Sequence, residues 1–155
     1  MALRRPGVPF ASHAAAVALF IAAAAVLCWP MLGGKLLLGP YSDYYEAGYA
    51  YREFATQYWR LHHAIPMWNP HLLGGIPYVA GMHGDIFYPT AVLRWLTSTG
   101  TALDLAFFLH VALAGVFTYA FALVLETTWA GALVAGLAYE LTGIVASLVH
   151  PGHDG

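Results

Sequence analysis

Between Arg5 and Lys35 the chain carries no charged residue, and from Ser12 to Leu32 it is almost entirely Ala, Val, Leu, Ile and Phe. About 20 apolar residues in succession are what a helix needs to cross the hydrocarbon core of a bilayer. Trp29 stands near the far end of the run, where an amphipathic ring suits the lipid–water boundary. Arg4 and Arg5 before the run also fit a cleaved signal peptide, but its length favours a retained helix. The residues before Cys28 make a poor lipobox, because Leu27 directly precedes the Cys.

Two further apolar stretches follow. Leu105–Leu125 is free of charge and bounded by Asp104 and Glu126, and a third runs from Trp129 to about Val149 with Glu140 inside it. The expected class is therefore an all-α integral membrane protein with three transmembrane helices, near 11–32, 104–125 and 129–149. Only Thr127 and Thr128 separate Glu126 from Trp129, so the second and third spans form a tight hairpin. Gly131, Ala135, Gly136, Gly143 and Ala146 allow the third to pack closely on a neighbour. His110 and Glu140 lie within the spans, where ionisable groups face the protein interior; a hydrogen-bonded contact between helices is the simplest expectation.

Composition agrees: 60% of residues are apolar and 9% charged, against about 45–50% and about 25% in soluble domains. That balance excludes intrinsic disorder, and no G-x-y or charged heptad pattern suggests collagen or a coiled coil. Six Lys and Arg against eight Asp and Glu, without a basic patch, argue against a nucleic-acid partner. A single cysteine, Cys28, leaves no intramolecular disulfide framework and no Cys-based zinc site. The N-terminal arginines favour a cytoplasmic start. Residues 33–103 and 150–155 then share the extracytoplasmic side.

The loop over 33–103 is too long to be structureless. Tyr44, Ala47, Tyr51, Phe54, Tyr58 and Leu61 recur at helical spacing, so an amphipathic, interfacial helix is predicted near 43–63, with Asp43 and Glu46 spaced as cap and N3. A short helix is predicted near 90–97, after Tyr88-Pro89. Between them lie Asn69-Pro70, Gly74-Gly75, Ile76-Pro77 and Gly84-Asp85, the chemistry of turns, Asp85 being read as a turn residue. Trp68, Tyr78 and Tyr88 on such turns make either a platform for a sugar or lipid, or anchors at the membrane boundary; pattern alone favours the anchors. Arg52, Arg60 and Arg94 are the loop's arginines, suited to gripping a phosphate or to snorkelling toward headgroups.

Trp68-Asn69-Pro70, Gly74-Gly75-Ile76-Pro77 and Tyr88-Pro89, in that order, together with Asp43 upstream and Gly152-His153-Asp154-Gly155 downstream, resemble the signature of the bacterial YfhO-type membrane proteins. The resemblance extends over nearly the whole chain. It implies a GT-C-like polytopic glycosyltransferase of the inner membrane, of which this chain is an N-terminal part, inactive alone. Its donor is a sugar on a polyprenyl-phosphate carrier embedded among membrane lipids, and its acceptor an envelope glycan or glycolipid. The alternative is a non-enzymatic subunit of a lipid or glycan transporter, or an assembly factor. The resemblance implies a catalytic role for Asp43, as general base to the acceptor hydroxyl; without it, Asp43 reads as a helix cap. It gives Asp154 the role of ordering an acceptor or binding a divalent metal. No cofactor is certain; a divalent metal is the one left open, with His150-x-x-His153-Asp154 offering ligands outside any regular helical motif.

Overall fold

The computed structural model describes residues 9–29, 48–81 and 85–143. They are mostly helical and form two compact units, one from 9–29 and 108–143, the other from 48–81 and 85–107. Among the described residues five α-helices occur: α1 (Phe10–Leu27), α2 (Ala50–His62), α3 (Leu93–Leu96), α4 (Thr99–Val124) and α5 (Trp129–Glu140). One feature departs from an all-helical reading. Strands β1 (Trp68–Asn69) and β2 (Ile76–Pro77) pair antiparallel, Trp68 opposite Pro77 and Asn69 opposite Ile76.

In the first unit, α1 buries a ridge at four-residue spacing: Ala16, Phe20, Ala24 and, just past its end, Cys28. Helix α5 buries a matching ridge of Ala132, Gly136 and Glu140. Residues four apart line one helix face, and small residues let two such faces approach closely. The Phe20 ring fills the notch they leave. A Cβ on Gly136 would stand 2.6 Å from that ring and 2.8 Å from the Gly115 carbonyl oxygen of α4. Tyr119 and Ala122 of α4 close the same core.

Helices α1 and α4 are long and apolar enough to cross a membrane. Only 17% and 28% of their most apolar windows are buried, whereas the core helix of a soluble protein is mostly covered. Phe10, Ile21, Val26, Phe117, Phe121 and Val124 point outward instead. Helix α4 starts five residues before its expected start at 104. Ser98 caps it: its carbonyl accepts from Ala102 N–H at 2.9 Å and its hydroxyl from Thr101 N–H at 3.2 Å. Asp104, expected to mark the boundary, lies inside the helix and is buried, so its charge did not delimit the element.

The α4–α5 hairpin is built locally. Glu126 takes φ +59°, and Thr127 donates twice to the Ala122 carbonyl, N–H at 3.2 Å and hydroxyl at 2.8 Å. Thr128 then caps α5, its hydroxyl oxygen accepting from Gly131 N–H at 3.1 Å. Helix α5 is 12 residues long, about 18 Å at 1.5 Å per residue, and closes at Leu141, whose N–H reaches the Leu137 carbonyl. A continuous helix over 129–149 is therefore not what the described residues form; 144–149 lie outside them.

In the second unit, α2 ends at His63, whose left-handed backbone (φ +50°) returns its N–H to the Trp59 carbonyl. The chain then makes the β1–β2 hairpin, turning through Leu73 (φ +49°), Gly74 and Gly75. Gly75 is required twice over: its φ is +118°, and a Cβ would stand 2.6 Å from the Trp68 ring. Pro89 opens a 3-10 turn, Pro89–Val92, that leads into α3. Asp43, Glu46 and the rest of 43–47, expected in the first helix, lie outside the described residues.

Candidate functional site

The second unit is organised around one carboxylate. Asp85 Oδ1 accepts from Arg52 Nε of α2 at 3.0 Å and from Arg94 Nη1 of α3 at 2.5 Å. Both arginines are nearly buried. Two cations on one oxygen hold α2, the segment at 85 and α3 together by charge-assisted bonds. Within α2 the Thr56 hydroxyl donates to the Arg52 carbonyl at 2.8 Å. Arg60 Nη2 donates to the Thr97 carbonyl at 2.7 Å and, more weakly, to that of Arg94 at 3.4 Å. The Trp59 and Trp95 rings stack at 4.7 Å, tying the same two helices.

Within its unit α2 turns a polar side inward. The Tyr51, Phe54, Tyr58 and Leu61 face is half-buried or exposed, while the buried residues are Arg52, Ala55 and Thr56. A charged residue can face inward because Asp85, 33 residues away, neutralises it. The aromatic residues of that stripe pack on the hairpin instead: the Phe54 ring lies 5.4 Å from that of Tyr78 and 5.6 Å from that of His71.

The three expected platform rings separate. Tyr78 is 1% exposed and donates its hydroxyl to the Tyr51 carbonyl at 2.7 Å. Burial pushes its phenol up to about 12, the nearby Arg94 opposing this and Asp85 reinforcing it. Trp68 lies over Gly75 with about half its surface exposed, and Tyr88, half exposed, precedes Pro89 and bonds the Asp85 carbonyl through its N–H at 2.9 Å. Of the expected phosphate ligands, Arg52 and Arg94 meet at Asp85 and Arg60 lies on backbone carbonyls. A small pocket borders this network, lined by Thr56, Trp59, Pro66, Ile86, Arg94 and Trp95. Its volume of about 20 Å³ is room for about one water molecule. Asp43, Asp154, His150 and His153 lie outside the described residues. Among the described residues no three His, Cys, Asp or Glu side chains are grouped to hold a metal.

Asp85 was missed as an organising residue. Charge counting carries the signal: over 48–97 only Glu53 and Asp85 are acidic, against Arg52, Arg60 and Arg94, and Glu53 is taken by Gln57 within α2.

The first unit holds a second polar group without a matching network. Glu140 is fully buried, beside the ring of Phe20 and the bare backbone of Gly115. It faces the interior as expected, packed against α1 and α4. His110 lies on the exposed side of α4. His13 Nδ1 and the Tyr119 hydroxyl share a hydrogen bond of 2.6 Å that ties α1 to α4.

No protein-family profile, curated protein or solved structure matches the chain.

Proposed function

We propose that the chain is part of a multi-pass bacterial inner-membrane glycosyltransferase of GT-C type, moving a sugar from a polyprenyl-phosphate carrier to an envelope glycan or glycolipid. The observation that carries this reading is the ordered motif set Trp68-Asn69-Pro70, Gly74-Gly75-Ile76-Pro77 and Tyr88-Pro89. The first two of these motifs form a single hairpin, and the third leads from Asp85 into the turn before α3. Two apolar helices with outward-facing side chains support the membrane location. In this reading Asp43 accepts the proton of the acceptor hydroxyl as its oxygen attacks the anomeric carbon, and the carrier phosphate departs. Asp154 orders the acceptor.

A second reading, a non-enzymatic subunit of a lipid or glycan transporter or an assembly factor, draws on a specific feature. All three loop arginines already make contacts within the fold. The test is sugar transfer by the full-length protein carrying Asp43→Asn, with stability measured alongside. General-base catalysis contributes about 10²–10⁴-fold, so a loss of that size with unchanged stability supports the enzyme. Unchanged turnover rejects Asp43 as base, and absence of transfer by the unsubstituted protein favours the second reading.

A further inference from the structure

The β1–β2 hairpin has a feature that sugar transfer does not call on. Leu73 at its tip is 97% exposed, the most exposed of the large apolar side chains described. It is held there by backbone geometry. Leu73 itself sits at φ +49°, Gly74 and Gly75 follow at +79° and +118°, and Gly75 N–H closes the turn onto the Leu72 carbonyl at 2.6 Å. The base of the hairpin is pinned by Tyr78 N–H on the Met67 carbonyl at 2.9 Å and by the Asn69 side chain accepting from His71 N–H at 3.0 Å. Met67 and Trp68, at that base, are also exposed.

Water is a poor surrounding for such a tip, and a protein interface that covered it would be framed by a polar rim. From Leu61 to Gly84 the sequence contains no Asp, Glu, Lys or Arg. An uncharged turn with a projecting Leu and a Trp at its base suits the boundary between lipid headgroups and acyl chains. There the apolar side chain enters the acyl region and the turn's backbone groups stay hydrated. Chain continuity points to the same surroundings. Trp95 and Leu96, both exposed, stand within a few residues of Thr99, where the membrane-length helix α4 begins.

We infer that the 67–75 hairpin is a lipid-inserting wedge, with Leu73 in the acyl boundary and Trp68 at headgroup depth. The inference rests on the membrane reading of the chain but not on glycosyl transfer. A nitroxide label placed by Leu73→Cys in the whole protein, reconstituted in phosphatidylglycerol–phosphatidylethanolamine vesicles, tests it. A second label at Phe117→Cys, on the exposed side of α4, reports the membrane itself. Cys28 is buried, and its labelling is measured in the unsubstituted protein. The expected result is that dissolved oxygen collides with both labels more often than a water-soluble nickel chelate does, the reverse of the free label in buffer. An aqueous pattern at Leu73 with a lipid pattern at Phe117 overturns the wedge and leaves the membrane reading intact. Aqueous patterns at both overturn the two together. Spin–spin broadening between Leu73 labels, with neither reagent reaching them, assigns the tip to a second copy of the chain and also overturns the wedge.

Discussion

The two units solve the same problem, holding helices together, by opposite means. In 9–29 and 108–143 the contacts are made by what side chains lack: Gly115, Gly136, Ala16, Ala24 and Ala132 bring α1, α4 and α5 close, and Phe20 fills the gap. The carboxylate in that core, Glu140, makes no ion pair among the described residues. In 48–81 and 85–107 the contacts are made by charge and ring faces, with Asp85 between two buried arginines and Trp59 on Trp95. The difference follows from the surroundings each sequence is suited to. Helices α1 and α4 are long and apolar enough to cross a membrane, and in lipid burying apolar surface gains little while close packing decides. In the second unit the two desolvated arginines are paired at Asp85, while Asp104, also buried, has no hydrogen bond among the described residues.

The strongest way to break this contrast is to remove the central carboxylate. Asp85→Ala leaves Arg94 buried without its counter-ion and removes one partner of Arg52. We expect a loss of about 3 kcal/mol, at the low end for a broken buried pair, because the Asp85 side chain keeps 21% of its surface exposed. Hydrogen-exchange mass spectrometry is expected to show faster exchange in residues 50–62 and 89–97 while 129–140 stay protected. Equal loss in both regions would show that the units do not respond separately.

The converse substitution is Gly136→Ala. Its Cβ collides with the Phe20 ring and the Gly115 carbonyl, an overpacking expected to cost about 2 kcal/mol. Exchange then rises in 10–27 and 129–140 and not at the Asp85 cluster. A thermally unchanged Gly136→Ala protein would contradict close packing as the principle of the first unit.

Tyr78 sharpens the picture of the second unit. Tyr78→Phe removes the hydroxyl bonded to the Tyr51 carbonyl, with an expected cost of about 1.5 kcal/mol at neutral pH. Because burial raises its phenol from 10 to about 12, the folded form holds that proton more tightly than the unfolded one. The stabilisation is complete below pH 10 and declines as pH rises toward 12, by about 1.4 kcal/mol per unit. Alkaline unfolding followed by circular dichroism should be less steep over this window in Tyr78→Phe.

The smallest effect is expected at the hairpin between α4 and α5. Thr128→Ala deletes an exposed cap to Gly131 N–H, worth about 0.5 kcal/mol. The melting temperature should fall slightly, with exchange rising only in the first turn of α5.

Much of this was legible in the residues themselves. Uncharged runs identified α1 and α4, Thr127-Thr128 identified the tight connection to α5, and Pro89 marked the turn into α3, because each depends on local composition or a local backbone preference. The site was less legible. Arg52, Arg60 and Arg94 looked like ligands for an outside phosphate, and Tyr78 like a platform ring. A sequence does not display which anion or carbonyl a side chain will meet 30 residues away.

The sequence by itself determined where the long apolar helices lie and that Gly74 and Gly75 make a turn, since hydropathy and positive φ act residue by residue. Only the tertiary structure decided which face of α2 points inward, that Asp104 sits inside a helix instead of ending one, and that Asp85 organises its unit. The physical reason is that desolvating a charge is costly alone and tolerable beside a counter-charge. The position of that counter-charge is a property of the folded chain, as the 33-residue separation of Arg52 and Asp85 shows.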